Sequence, residues 1–188
     1  SPATTDAVAP HYFYYNPHRY SEFMAGVRDV FRCEDGSYGR GDLFATSGCT
    51  SRDVSDIDAR LSDALRLGGC GSFLDMFVLE YVCPEEMEDD GSLGVEMDRA
   101  TRHVRSLIRG GSVRYLCCST HSHAIARDLC NAAPDVRPDV VMVRYSAAHR
   151  RGAERLSFPA AQEAGVAVVA FTTTRWNRLQ KGEGGPDS

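Results

Sequence analysis

The chain has 188 residues, of which 43% are hydrophobic and 25% charged, a balance typical of one globular domain with its own core. The formal net charge of −5 argues against a nucleic-acid-binding face, and the apolar runs are too short to span a membrane. Of the 21 basic residues only Lys181, near the C-terminus, is a lysine, which excludes a catalytic lysine in the body of the domain.

The predicted organisation is one domain over residues 11–180, with loose ends at 1–10 and 181–188. The chain begins at Ser1-Pro2 without an initiator methionine, which is compatible with a processed, soluble protein imported into an organelle such as a plastid or mitochondrion. Its seven cysteines form no C-x-x-C pair, so we expect reduced and buried thiols.

Six short apolar runs predict β-strands. They are His11–Tyr15, Asp42–Thr46, Phe73–Leu79, Val113–Cys118, Asp139–Tyr145 and Val166–Phe171. Each run is nearly continuously apolar, which is typical of strands that are covered on both faces in a parallel sheet.

Helical patterns lie between these strands, with apolar residues recurring every three or four positions on one face. They are Ser21–Phe31, Asp53–Leu67, Glu96–Ile108, Ser122–Ala132 and Ser157–Ala164. Glycine pairs at 68–69 and 110–111 are predicted to end two of the helices, and the acidic segment Glu85–Gly91 is predicted to be a solvated turn.

The alternation of strand and helix predicts a parallel β/α architecture. A doubly wound nucleotide-binding sheet would need a glycine-rich turn after its first strand, and the sequence contains no G-x-G-x-x-G. A complete (β/α)8 barrel needs about 250 residues and eight strands. With six predicted strands, a barrel formed by this chain would be incomplete.

The segment from Asp42 to Asn177 resembles the aldo-keto reductases, because five motifs occur in that family's order. "DLFATSG" resembles the strand that ends in A-T-K, and "DIDARLSDALRLGG" followed by "FLDMFVLEYVCP" resembles the helix and strand that end in D-L-Y-L-I-H-x-P. "LIRGGSVRYLCCSTHS", "PDVVMVRYSAAHR" and "AGVAVVAFTTTRW" resemble the next three strand regions, and "YFYYNPHRYSE" resembles an earlier strand and loop. The resemblance implies an α/β fold that is an incomplete (β/α)8 TIM-type barrel, with about strands two to seven.

The family reduces carbonyls with NADPH, using a tyrosine as proton donor, a lysine that lowers its pKa, an aspartate and a histidine. A phenol with a pKa near 10 is a poor acid at neutral pH without such help. By resemblance the lysine position is Ser47, the histidine position is Glu80 and the aspartate position is Tyr14. The tyrosine position is Tyr20, after a one-residue insertion. We therefore expect no catalytic residues.

The resemblance also places the coenzyme contacts. The Ser-Asn pair that holds the nicotinamide amide corresponds to Ser119-Thr120, its glutamine partner corresponds to Met142, and the tyrosine that stacks on the nicotinamide falls near Thr172. We expect no bound cofactor. If the chain does bind one, the resemblance implies that it is NADPH.

The residues themselves contain three further candidate features. Glu80 ends a strand, where barrel enzymes place their chemistry, but a lone carboxylate is not a mechanism, and Tyr81 or Arg114 would satisfy it. His121 and His123 form an H-x-H, yet zinc would need further ligands, so we expect no metal. The basic cluster favours a solvated face or a protein contact over an anion site; it contains Arg144, Arg150, Arg151 and Arg155.

The resulting hypothesis is a non-catalytic pseudoenzyme that acts as a structural or accessory subunit of a larger assembly. The alternatives are an NADPH-dependent carbonyl oxidoreductase with an altered site, using Tyr20 or Glu80 as the acid, and a coenzyme-binding redox sensor. An incomplete barrel has an open seam, which other subunits or a second copy of the chain would cover. The residues expected at this interface are Tyr12, Phe13, Tyr15, Arg175 and Trp176.

Overall fold

Parallel strands alternate with helices in the computed structural model, which describes residues 11–15, 40–67, 71–146 and 150–173. The strands are β1 (His11–Tyr15), β2 (Leu43–Cys49), β3 (Leu74–Leu79), β4 (Val113–Thr120), β5 (Val140–Arg144) and β6 (Ala167–Phe171). The helices are α1 (Val54–Leu67), α2 (Val95–Arg109), α3 (His123–Asn131) and α4 (Phe158–Ala164). Short 3₁₀ turns occur at Arg40–Asp42 and Pro84–Glu86.

All six predicted strands are confirmed, although β2 and β4 continue two or three residues beyond their predicted ends. The last predicted helix begins earlier than Ser157, because a helical turn at Arg150–Gly152 and a π-helical turn at Ala153–Ser157 precede α4. Pro159 explains the wider turn, since proline has no N–H to donate to the preceding turn of a regular α-helix. The predicted helix Ser21–Phe31 lies outside the described residues.

The sheet has the order β1-β2-β3-β4-β5-β6, and every neighbouring pair is parallel. A doubly wound sheet reverses its strand order at a switch point, and this sequential order contains no reversal. The expectation of an incomplete (β/α)8 barrel is therefore confirmed. Among the described strands, β1 and β6 are the two edges, each paired on one side only.

Side chains alternate across the strands and form two apolar clusters. Phe77 and Leu79 of β3 belong to the larger cluster, which includes the buried faces of the helices. Met97 and Val104 of α2 are fully buried there, and each such side chain contributes about 1.5–3 kcal/mol of stability. The second cluster contains strand side chains alone and forms the inner face of the curled sheet. Its members are Met76, Val78, Cys117 and Val140, against which Tyr14, Phe44, Met142 and Val169 pack.

Asp75 joins three strands at the amino ends of the sheet. Its carboxylate, 3% exposed, accepts hydrogen bonds from Arg40 Nη2 at 2.7 Å, from the Ala45 amide at 2.8 Å and from Arg114 Nη1 at 3.0 Å. The guanidinium groups of both arginines also lie over the Phe73 ring. This edge of a β/α barrel contributes stability rather than chemistry.

In the ranges that the structure describes, no helix combines the length and the apolarity that crossing a bilayer requires.

Candidate functional site

The candidate residues that the structure describes gather at the carboxyl ends of the parallel strands, the edge where β/α barrels place their chemistry. Tyr14 lies near the end of β1, Glu80 directly follows β3, and Ser119 lies near the end of β4. Arg144 and Phe171 end β5 and β6 and are register partners.

The positions expected to hold the family's aspartate and histidine form a pair. The Tyr14 hydroxyl donates a hydrogen bond to Glu80 Oε1. The backbone fixes Glu80, because its amide donates to the Cys49 carbonyl at 2.9 Å and its carbonyl accepts from Arg52 Nη2 at 2.8 Å. Arg114 is not the partner of Glu80, because it binds Asp75 at the opposite edge of the sheet; the side chain that contacts the Glu80 carboxylate is Tyr14.

Gly48, rather than Ser47, lies beside this pair. Ser47 is fully buried and is the register partner of Phe77, which faces the helices. Gly48 is the partner of Val78 on the inner face, and a Cβ on Gly48 would lie 2.9 Å from the Tyr14 hydroxyl and 2.3 Å from the Val78 carbonyl oxygen. The absence of a side chain at Gly48 thus makes room for the phenol.

The positions predicted for coenzyme contacts divide between the two faces. Ser119 and Met142 are register partners, and Met142 packs on the inner cluster. The Ser119 hydroxyl accepts a hydrogen bond from the Tyr81 amide at 2.9 Å. Thr120 is buried, and its hydroxyl donates to the Val82 carbonyl at 2.7 Å. This hydrogen bond connects the loop after β3 to β4. These two hydroxyls therefore have structural partners within the chain.

Three rings form an aromatic group at the same rim. The His121 ring lies 5.6 Å from that of Tyr81 and 5.2 Å from that of Phe171, measured between centroids. Tyr81 is 55% exposed and has a φ of 56°, an uncommon backbone conformation for a bulky residue. Burial lowers the pKa of His121, and the positive charge of Arg144 lowers it further. His121 is therefore predominantly neutral at pH 7.

The two histidines of the H-x-H do not point to one centre. His123 Nδ1 lies 3.1 Å from Ser157 Oγ, next to Gly152, where a Cβ would lie 2.4 Å from the imidazole Cδ2. In the described part of the chain, no three His, Cys, Asp or Glu side chains converge as metal ligands.

The acidic segment is only partly solvated, contrary to expectation. Glu85, Glu88 and the two following aspartates are exposed, but Glu86 is half-buried and binds Arg52 in a bidentate pair. The Glu86 carboxylate also accepts from the Cys83 amide at 2.9 Å.

The described cysteines carry no disulfide, and four of the five are buried: Cys49, Cys117, Cys118 and Cys130. Cys83 is exposed, so the expectation of uniformly buried thiols is wrong at that position. Desolvation and hydrogen bonds with Glu86 and Glu85 raise the pKa of Cys83 to about 11, which keeps it a thiol at neutral pH.

Several predicted site residues are not among the described residues. Tyr20, Arg175 and Trp176 lie outside the described residues, and so do the side chains of Tyr12, Phe13 and Tyr15. The assignment of Tyr20 as a tyrosine position and the proposed interface residues stay predictions.

Sequential parallel strands with helices between them define an incomplete β/α barrel. Solved structures narrow the fold further. An aldose reductase from Giardia lamblia superimposes with a TM-score of 0.65 at 16% identity, over 86% of this chain and 55% of that chain. An aldo-keto reductase from Klebsiella pneumoniae, solved with NADP and acetate, gives a TM-score of 0.63 at 17% identity, over 85% and 51%. A thermostable aldo-keto reductase solved with the inhibitor epalrestat gives 0.60 at 19% identity, over 82% and 52%.

The chain therefore has the fold of the aldo-keto reductases, as its motifs predicted, and spans about half the length of the structures it matches. No protein-family model matches the chain, and no curated protein sequence does.

Sequence reasoning missed two parts of the site. The first is the direct contact between Tyr14 and Glu80, which are 66 positions apart and share no local sequence pattern. The second is Gly48, whose signal was present in "ATSG", since a glycine inside a strand often marks a close approach of neighbouring groups.

Proposed function

We propose that this chain is a non-catalytic, aldo-keto-reductase-like subunit with a structural or accessory role in a larger protein assembly. The observation that carries the proposal is the Tyr14–Glu80 hydrogen bond with Gly48 against it. These residues occupy the region where the resemblance expects a lysine, an aspartate and a histidine.

The chemistry of the pair supports an inert site. The Tyr14 hydroxyl directs its hydrogen bond to a carboxylate rather than to an open cavity. The lysine that supplies the family's cation has no counterpart here, since Lys181 is the only lysine of the chain and follows β6.

The state of the sheet edges supports a role in an assembly. The side chains of β3 are all buried, whereas Ala167, Val168 and Ala170 of the edge strand β6 are exposed. An apolar strand at a sheet edge favours association with another chain or element.

A carbonyl reductase assay tests the proposal. We expect the purified chain to oxidise no NADPH in the presence of small aldehydes, and NADPH to leave its melting temperature unchanged. A coenzyme present at 100 times its dissociation constant would stabilise the fold by about 2.7 kcal/mol. Turnover of about 1 s⁻¹ or more would contradict the proposal.

The second candidate function is an altered NADPH-dependent oxidoreductase, which is favoured by the position of the Glu80 carboxylate at the rim beside a phenol. This candidate requires turnover in the wild type that is lost in Glu80→Gln. A coenzyme-binding sensor would instead show stabilisation by NADPH without turnover. Turnover and stabilisation by NADPH, both measured for the wild type and for Glu80→Gln, thus separate the three functions.

A further inference from the structure

A cavity lies at the amino ends of β2, β3 and β4, at the opposite edge of the sheet from the candidate functional site. Its volume is about 340 Å³, within the range of sites that hold small organic molecules. Three separate segments of the chain supply side chains to its wall, among them Arg40, Phe44, Phe73, Arg114 and Tyr115. These side chains therefore converge on one space, and none of the described positions compared with coenzyme contacts takes part.

One side of the cavity is aromatic. The Phe44 and Tyr115 rings are stacked, with centroids 6.4 Å apart and planes inclined by 13°. Tyr115 is 45% exposed, although β4 is an interior strand and Cys117, two residues further on the same face, is fully buried. The inner face of the sheet is thus covered at Cys117 and opens at Tyr115, where it presents a flat apolar surface to the cavity.

The other side of the cavity carries charge. Two arginines share the single carboxylate of Asp75, through Arg40 Nη2 at 2.7 Å and Arg114 Nη1 at 3.0 Å. All three residues line the cavity. Two guanidinium groups and one carboxylate leave an excess of one positive charge at this part of the wall.

Arg114 keeps donors that the described residues do not use. Its side chain is 58% exposed, and within the described part of the chain its guanidinium donates from Nη1 alone. A guanidinium carries further N–H groups on Nε and Nη2, which suit the paired oxygens of a carboxylate. The Phe73 ring lies with its centroid 4.1 Å from the Arg114 guanidinium carbon and supports the planar group from one face.

A ligand with only one matching feature would use half of this wall. An inorganic anion would leave the aromatic pair in water, a neutral ring would leave the positive charge unpaired, and a cation would be repelled. We propose that this cavity binds a small aromatic carboxylate, whose carboxylate pairs with Arg114 and whose ring lies against Tyr115. The site goes beyond the proposed function and does not depend on it, because it uses no residue of the candidate functional site.

An NMR titration of the full chain locates the binding, with sodium benzoate as the ligand at constant ionic strength. Benzamide, which has the ring without the charge, and acetate, which has the charge without the ring, are the control compounds. We expect benzoate to shift the backbone amides of residues 73–75 and 113–116 saturably, and both control compounds to bind at least tenfold more weakly. The site is refuted if benzoate does not saturate, if either control compound binds equally well, or if the shifts are confined to residues 119–121 and 142–144 at the opposite edge.

Substitutions at the wall test the charge and the ring separately. Arg114→Gln should weaken benzoate binding about tenfold or more, which corresponds to about 1.4 kcal/mol. Asp75 then keeps its hydrogen bonds from Arg40 and from the Ala45 amide, so we expect this variant to fold. Arg66→Gln removes an arginine with a 67% exposed side chain on α1 and should leave the affinity unchanged.

Tyr115→Thr keeps the test decisive if Arg114→Gln fails to fold. Threonine suits an exposed strand position, so this variant should fold while its affinity for benzoate falls severalfold with the loss of the ring. Wild-type affinity in both variants would refute the site. Failure of the proposed function would appear instead as aldehyde turnover, which these titrations do not measure.

Discussion

Gly48 lies between the Val78 backbone and the Tyr14 hydroxyl, in a space that admits no side chain. An added Cβ would lie 2.3 Å from the Val78 carbonyl oxygen, much closer than atoms in contact approach. Because β2 pairs with β3 at this position, relieving the clash with Val78 would require moving one of the two strands, and the phenol would have to shift as well.

We therefore predict that Gly48→Ala destabilises the protein by about 1–3 kcal/mol, measured by urea denaturation. Gly110→Ala is the matched control, because its Cβ would lie 3.5 Å from the Leu107 carbonyl oxygen, an ordinary contact at a helix end. Equal effects of the two substitutions would show that the close approach at Gly48 is absent in solution.

His121 gives a pH dependence whose sign is fixed by its environment. Burial, and secondly Arg144, hold its pKa in the folded protein below its usual value of about 6.5. The unfolded chain therefore binds the proton more readily, and stability rises with pH in this range. The contribution of His121 to the free energy of unfolding is fully present above about pH 6.5. It is lost as the pH falls through the pKa that His121 has in the folded protein.

An imidazole titration followed by NMR measures this pKa directly. We predict that Arg144→Gln raises the pKa of His121 toward its usual value, because one of the two causes is removed. Arg151→Gln, at an exposed arginine, should leave it unchanged. A pKa that stays the same in Arg144→Gln would mean that the guanidinium does not act on the ring.

At the scale of elements, one ion pair joins the loops that follow β2 and β3. The Arg52 side chain, 9% exposed, binds the Glu86 carboxylate and donates to the Glu80 carbonyl at 2.8 Å. Glu86 in turn accepts a hydrogen bond from the Cys83 amide, so the Arg52 guanidinium connects the turn beside the candidate site to the loop after β2.

We predict that Arg52→Leu speeds amide hydrogen exchange across residues 83–94 without unfolding the domain. The reason is that Glu86 loses its cation while its loop keeps only local hydrogen bonds. Arg66→Leu removes an exposed arginine that pairs with Asp63 on one helix, and exchange in the loop should not respond to it. Unchanged exchange in Arg52→Leu would show that the ion pair does not order the loop.

Period and composition predicted the elements well, because each strand and helix carries its own apolar pattern. Contacts between elements leave no comparable pattern in the sequence. The Arg52–Glu86 pair spans 34 positions, and nothing in the acidic segment indicated that one of its carboxylates is half-buried. The π-helical turn was missed for a related reason, since one extra residue in a turn hardly changes the apolar period.

At the scale of the whole molecule, the described sheet has two edges that no other described strand covers. β1 pairs only with β2 and β6 only with β5 among the described strands, so the six-stranded sheet is not closed on itself there. The matched part of this chain covers only 55% and 51% of two neighbours of known structure. Under the proposed function, another subunit or a second copy of the chain is expected to cover these edges.

Replacing an exposed apolar residue of β6 by a charged one tests whether a partner covers this edge. Val168 is 37% exposed, although its register partner Val141 is fully buried, so a partner that covers β6 would contact it. We predict that Val168→Asp weakens assembly, because a carboxylate buried at the interface would lack a partner. Native mass spectrometry of the intact assembly should show a shift toward the free chain.

Val95→Asp is the matched control for this prediction. Val95 is 78% exposed at the first position of α2, far from the edge strand in the sheet order, and a carboxylate at a helix N-terminus is tolerated. Hydrogen exchange in the assembled wild type should also be slower across β1 and β6 than in the isolated chain. If Val168→Asp and Val95→Asp assemble equally well, and the edge strands exchange at the same rate in both states, the edges are not where this chain meets its partners.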